Sequence, residues 1–297
     1  MRSHTSKRNR YILYVVLCVS ILIAAALLSV NLRKQSAKPV YTANHAQLSV
    51  LFIDVGQADS ALITLSSGET MLIDAGETSD ATTIAEELDE RGIRDIDILV
   101  ATHPHADHIG GMRSVVEHYD IGSILMPDMT SQSAVYQNLM KAVDERGIPV
   151  AEAYAGYNFS LGEAECSVVS PDADANKDMN NESVVIFLDY LDNEFLFTGD
   201  MEEWAEGALL DTSYNIDADV LKVAHHGSST GTSPAFLNAV TPQYAVISCG
   251  EGNEYGHPHQ ATLNELQEAG AEIYRTDRSG DILFLSDGKT LTVQTEY

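Results

Sequence analysis

Six residues, His103-Pro104-His105-Ala106-Asp107-His108, constrain this chain more than any other stretch. They follow the largely apolar run 96–101 and precede Gly110-Gly111. A strand therefore ends where the cluster begins, and the cluster turns on a short loop. Three imidazoles and a carboxylate are poor strand or core material, because each buried polar group needs a partner. Neutral imidazole is the commonest metal ligand, and borderline divalent ions take nitrogen and carboxylate oxygen together. The bland alternative is a solvated polar loop, and it weakens if other ligand-bearing stretches exist.

Downstream of residue 47 the pattern is that of a mixed α/β domain, with strands alternating with helices and several hairpins. Residues 48–55, 61–65, 70–73, 95–102 and 123–126 read as strands. Residues 78–91, 112–119 and 131–146 read as helices, two of them closed by Gly92 and Gly147. Strand-like pieces follow around Val150 and at 164–169 and 184–190, the last pairing with 194–198 as a hairpin. Residues 201–210 and 260–269 are helical, and Ser233-Pro234 opens another helix with a capping serine and an N-terminal proline. Strands at 219–224, 244–248 and 272–275 and a final hairpin, 282–285 with 290–295, complete the pattern. The three cysteines, Cys18, Cys166 and Cys249, are too few for a disulfide scaffold; the last two read as buried apolar fillers.

Three further stretches carry what the histidine loop needs. Leu72-Ile73-Asp74-Ala75-Gly76 and Phe197-Thr198-Gly199-Asp200 each end a strand on a carboxylate, and Val223-Ala224-His225-His226-Gly227-Ser228 supplies a late histidine pair. Singly, an aspartate after a strand is a turn residue. Jointly and in this order, the stretches resemble the metallo-β-lactamase superfamily. That resemblance implies a mixed α/β fold, the two-sheet αββα sandwich, holding one or two divalent ions, zinc or manganese. It implies a first ion on His103 and His105, a second on Asp107, His108 and His225, and Asp200 bridging them, with Asp74 bracing the loop from behind. His225 is preferred to His226 because it comes first after the strand, but order alone does not separate them. The superfamily's further histidine is missing: His118 comes too early, and Asn181 or Ser183 stands in the matching region. The first site is therefore expected to be weaker or open, and suited to a harder ion such as manganese.

A closer resemblance covers roughly residues 48–297. Asp54-Val55-Gly56-Gln57-Ala58-Asp59-Ser60, Asn180-Asn181-Glu182-Ser183, Leu221-Lys222-Val223-Ala224-His225-His226 and Tyr255-Gly256-His257-Pro258-His259 are similar to the extracytoplasmic hydrolase domain of ComEC-type competence proteins, with Ala58 where a glycine is usual. This adds Asp54, Gln57, Asn181, Ser183, Lys222 and His226 as candidates around the ions or the substrate. Lys222 either reaches the site or pairs with an acid. A bound divalent ion lowers the pKa of water to about 7, and two ions about 3.5–4 Å apart stabilise both the attacking and the leaving oxygen. Asp107 or Asp200 would orient the nucleophile. His257, on a Gly-Pro-bounded loop, donates a proton, binds phosphate or merely caps its loop.

Charge is distributed unevenly. Residues 1–40 hold seven Lys/Arg and no acid, leaving ten Lys/Arg against 44 Asp/Glu in the body, a net of −34. Such a body offers no broad basic face to an anionic polymer. Residues 11–30 are uncharged and long enough to span a bilayer as a helix, between the basic tail 1–10 and a linker, 31–47. The basic residues flank the span on both sides, four before it and three after it, which places the body outside the cytoplasm. Asn31-Leu32-Arg33-Lys34 is not a small-x-small cleavage site, favouring an uncleaved anchor over a secreted product. The expectation is a membrane-anchored, extracytoplasmic metal-dependent hydrolase of 48–297, a phosphodiesterase or nuclease acting on DNA or another phosphodiester. A lactonase or thioesterase of the same fold, or a metal-holding interaction module with little turnover, are the alternatives. A flavin-partnered di-iron oxidoreductase fits less well, since those relatives carry glutamate where His105 stands.

Overall fold

Apolar side chains at alternate positions decide the sheets. In β1, Leu48–Phe52, the side chains of Leu48, Val50 and Phe52 join one core while Leu51 joins another. That is the period of two expected of a strand buried on both faces. The computed structural model describes residues 47–171 and 178–297. The expected tail, membrane span and all but the last residue of the linker lie outside the described residues. Among the described residues no helix is long and apolar enough to cross a membrane.

Among the described residues two sheets form, and the chain fills them almost in order. β1 is followed by β2 (Ala61–Leu65), β3 (Thr70–Ile73), β4 (Asp95–Val100), β5 (Asp120–Met126) and β6 (Val150–Glu152). The second sheet takes β7 (Asn158–Leu161), β8 (Ala164–Ser170), β9 (Val185–Tyr190), β10 (Asn193–Phe197), β11 (Val220–Lys222), β12 (Tyr244–Ile247) and β13 (Glu272–Arg275). The chain then returns: β14 (Ile282–Ser286) and β15 (Leu291–Thr295) form a hairpin that pairs with β1. The strand orders are β15-β14-β1-β2-β3-β4-β5-β6 and β13-β12-β11-β10-β9-β8-β7.

Three apolar layers hold these sheets. Val50, Phe52, Ile63 and Phe284 meet Ile186, Phe195 and Phe197 between the sheets. The outer face of the first sheet is covered by α1 (Ala81–Glu90), a short α2 (Ala106–Ile109), α3 (Met112–His118) and α4 (Ala134–Arg146). The outer face of the second is covered by α5 (Glu203–Leu210), α6 (Pro234–Val240) and α7 (Gln260–Glu268). This is the αββα sandwich. Cys166 and Cys249 are buried free thiols, and burial pushes both well up, Cys249 to about 12.

The structure differs from the sequence reading at element ends. The helix expected from residue 78 begins as a 3-10 turn, Thr78–Asp80, before α1. Ser133 caps α4 by accepting the Tyr136 N–H, so that helix starts at Ala134. β7 has no counterpart in the sequence reading: only Leu161 of its four residues is buried, and it lies at a sheet edge.

Candidate metal centre

β3 and β4 run parallel, as do β10, β11 and β12. In open α/β sheets functional groups collect beyond the carboxyl ends of parallel strands, and here both sheets contribute. Asp74 follows β3, the histidine loop follows β4, Asp200 follows β10, His225 and His226 follow β11, and the loop bearing His257 follows β12. The histidine loop lies tightly on the Asp74–Gly76 turn: a Cβ on Gly111 would come within 2.3 Å of the Ala75 carbonyl oxygen. Only glycine permits that approach.

Two groups of candidate ligands share Asp200. In one, atoms of Asp107, His108, Asp200 and His226 lie within 4.8 Å of one another. His108 Nε2 is 3.3 Å from Asp200 Oδ1, and His226 Nε2 is 3.3 Å from Asp107 Oδ2 and 3.8 Å from Asp200 Oδ1. In the other, His103 and His105 join Asp200. His103 Nε2 sits 2.9 Å from His105 Nδ1 and 3.8 Å from Asp200 Oδ2. Sequence order favours His225 in the Asp107–His108 group, but the structure brings His226 there instead. His225 lies on the other side of Asp200, its Nε2 3.8 Å from Oδ2. The reason is local: both histidines take left-handed backbone angles, φ 49° and 53°, so their rings leave a tight turn in different directions. Each such residue costs about 1–3 kcal/mol and is held only where its surroundings fix it. Here the His225 N–H donates to the Gly199 carbonyl, and the Ser228 N–H to that of His225.

The ring nitrogens that face away from Asp200 have their own partners, which fixes the nitrogens that face it. His108 Nδ1 donates to Asp74 Oδ2 at 2.8 Å; Asp74 also accepts the Thr102 N–H and hydroxyl. His226 Nδ1 donates to the Ser248 carbonyl at 3.0 Å. Asp59, which the sequence reading passed over, lies 3.3 Å from the same nitrogen and pairs with Lys222 at 2.8 Å. Lys222 therefore pairs with an acid beneath the site and does not line the cleft. Ser183 Oγ sits 3.4 Å from His103 Nδ1 and accepts the Asp200 N–H, while Asn181 Oδ1 accepts the Ala205 N–H. Both therefore support ligands or backbone and do not face the ring nitrogens that meet Asp200. Asp54 is not drawn into the centre: its Oδ1 accepts the Gly56 N–H in a turn.

An open cleft of about 760 Å³ exposes the centre, lined by Gln57, His105, Asp107, Asn180, Asp200, His225, His226, Tyr255 and His257. Glu77, Asp80 and Glu254 also line it, and among the described residues no Lys or Arg does. Gln57 Oε1 accepts the Gly250 N–H, so its amide nitrogen faces His257 Nδ1, 3.4 Å away. That leaves the neutral His257 ring with its proton on Nε2. Burial, with His226 and His225 nearby, lowers the His257 pKa to about 4, so the ring is neutral at pH 7.

The donor set fits divalent cations. His108 Nε2, Asp200 Oδ1 and His226 Nε2 are buried, converge on one another, and have no hydrogen-bond partner among the described residues. Such orphaned atoms are rare unless another group satisfies them. Burial opposes charge on His226, yet the Asp200 and Asp59 carboxylates outweigh it and push its pKa up to about 10. His108 is raised for the same reason, by Asp200 and Asp74. Burial and the neighbouring His108 hold His103 well below the ordinary imidazole range. Without a cation, then, protons on His108 and His226 neutralise the carboxylates. Cation binding to the Asp107–His108–His226 group at pH 7.5 should displace both, on the order of two protons for that ion, and its affinity should rise with pH. Calorimetric titration in buffers of different ionisation enthalpy measures this; heats that do not depend on the buffer would contradict it.

Sandwich, strand-end site and shared aspartate define a class, and the sequence comparison agrees. The metallo-beta-lactamase superfamily model matches residues 53–251, and the chain belongs to that superfamily. Within it, the relatives are ComEC-like competence proteins. The chain is 30% identical over 262 residues to ComE operon protein 3 of Bacillus subtilis, covering 82% of this chain and 34% of the relative. It is 31% identical over 240 residues to competence protein ComA of Neisseria gonorrhoeae, covering 80% of this chain and 32% of that one. The chain thus spans about a third of the length of these relatives. Among solved structures, CmlA, a diiron β-hydroxylase from Streptomyces venezuelae, shares the fold: TM-score 0.54, 13% identity, 82% of this chain and 55% of CmlA covered.

Proposed function

We propose that this protein is a metal-dependent phosphodiesterase or nuclease, holding two divalent cations, zinc or manganese, on either side of Asp200. The observation that carries the reading is the pair of ligand groups sharing that one carboxylate inside an open cleft. The names of two relatives, competence protein ComA and recombination protein 2 of Haemophilus influenzae, favour a phosphodiester such as DNA as substrate.

Bound divalent ions supply Lewis acidity and an acidified water. The protein's own groups do the rest. Asp107, lining the cleft, stays ionised: burial opposes this, but His226 and His108 lower its pKa to about 2. As an ionised acceptor it can orient a water by taking its hydrogen bond. Before cations bind, protonated His108 and His226 hold Asp200 ionised against its burial, and Asp200 serves both ligand groups. His257, neutral and fixed by Gln57, presents an Nε2–H that can hydrogen-bond a phosphoryl oxygen or a leaving oxygen without giving up its proton. Asn253 holds the backbone of that residue through two hydrogen bonds, to its N–H and from its own amide to the carbonyl.

Among the described residues no Lys or Arg lines the cleft, which favours a substrate held through few basic contacts. Long duplex DNA is held mainly by phosphate contacts to basic side chains. We therefore read the substrate as a short or single-stranded phosphodiester whose scissile group alone meets the cations. The same observation favours a second reading, a lactone or thioester without net charge. A screen of a bis-aryl phosphate, a short single-stranded oligonucleotide, a lactone and a thioester, each with manganese and with zinc, separates them. Turnover of the carbonyl substrates alone would reject the phosphodiester reading. We further propose that residues 11–30 anchor the body outside the cytoplasm. Protease added to intact, wall-stripped cells should digest the body, and full protection until lysis would reverse the topology.

A further inference from the structure

The sequence leaves the first cation short of a ligand, because neither Asn181 nor Ser183 faces the nitrogens of His103 and His105 that meet Asp200. Asp200 itself points to the replacement. Its Oδ1 faces His108 and His226, at 3.3 and 3.8 Å. Its Oδ2 faces His103 and His225, each at 3.8 Å. The two carboxylate oxygens thus divide the histidines into two sets, and His225 falls with His103.

We infer that His225 completes the first cation site, and that Glu202 is its positioning residue. His225 Nδ1 is 3.3 Å from Glu202 Oε1 and 3.0 Å from the Thr230 hydroxyl. With Nδ1 so engaged, Nε2 is left as the ligand atom, the usual carboxylate–histidine–metal arrangement. Glu202 Oε1 also accepts from Asn180 Nδ2 at 3.2 Å, and Asn180 Oδ1 is buried without a hydrogen-bond partner among the described residues. Asn180 and His225 both line the cleft. The left-handed turn at 225–226 acquires a purpose: successive residues serve different ions. The first site is then His103, His105, His225 and Asp200. Three imidazoles favour zinc over manganese there, the reverse of what an open site implies.

This rests on the reading of a two-cation centre and is tested by metal content, without any substrate. Zinc and manganese titrations are run on the wild type and on His225→Ala, Glu202→Gln, His103→Ala and His226→Ala. The wild type should hold two zinc ions. His225→Ala should lose one, and Glu202→Gln should keep both but weaken one by about 10–100-fold. The pairing of ligands is read from double variants. His103→Ala/His225→Ala should lose no more than the same single ion, whereas His225→Ala/His226→Ala should lose both. Two ions at unchanged affinity in His225→Ala overturn the inference, as does loss of both in His103→Ala/His225→Ala. A wild type with one ion that survives His225→Ala also overturns it, while leaving a one-metal hydrolase intact. A wild type that binds neither metal removes the two-cation reading with it.

Discussion

Asp200→Ala should leave a folded protein that binds neither cation and turns over no substrate. Asp200 is the residue common to both ligand groups, so its loss removes a ligand from each. Turnover should fall by on the order of 10³-fold or more, because deleting a single charge-stabilising donor already costs about 10²–10³. The fold should survive, since the ligands sit on loops beyond strand ends and the three apolar layers are untouched. Asp74 and Asp59 still face His108 and His226, so neither ring is left charged without a carboxylate partner. Asp107→Ala and His108→Ala should each lose a single ion. Metal analysis after gel filtration, with circular dichroism as the check on folding, makes the comparison. Two retained ions in Asp200→Ala would remove the shared-ligand assignment.

Asp59→Asn should destabilise the metal-free protein by about 3–5 kcal/mol, the typical cost of leaving one charge of a buried pair uncompensated. The pair with Lys222 is nearly closed to solvent, its side chains 6% and 5% exposed. Lys222 is also held by the Val223 carbonyl at 3.0 Å, so it cannot swing out to water without breaking the end of β11. Replacing both, as Asp59→Leu with Lys222→Met, should recover much of the loss, because an apolar pair of similar volume avoids desolvating two ions. The double variant should still bind the second cation less tightly, since Asp59 no longer supports His226. Urea denaturation with a chelator present isolates the stability term. A single variant within about 1 kcal/mol of wild type, a shift typical of surface changes, would mean that water reaches the pair.

The parts of this centre that the sequence discloses are those where chemistry is local. His103, His105, Asp107 and His108 fall within six positions, so their spacing alone announces a ligand loop. Asp74 and Asp200 are legible only as members of an ordered set, because an aspartate after a strand is ordinarily a turn residue, and Asp54 is that. The choice between His225 and His226 is not written in their order. It depends on two successive left-handed residues, which non-glycine side chains seldom adopt. Asp59 and Asn180 stand in recognisable stretches but show no role there, and Glu202 lies outside them, because their partners are contributed by other strands' loops. Among the elements, strands with strong alternation are read well. β7 is missed, since an edge strand with one buried residue has little pattern to show. The short α2 and the turn of helix at Thr276–Ser279 are below the length at which helical periodicity appears.

The return of the chain to β1 sets an order of maturation. By the time residue 226 has been synthesised, every proposed cation ligand exists. β1, however, still lacks β14, the strand that pairs residue for residue with Leu48–Phe52. Even the Asp54 N–H waits for a carboxylate 227 positions later, at Asp281. The nascent domain therefore passes through a stage that is chemically complete but mechanically open, with an exposed strand edge able to template association. Cells making this protein have a reason to withhold transition metals, or to shield that edge, until the last hairpin has closed.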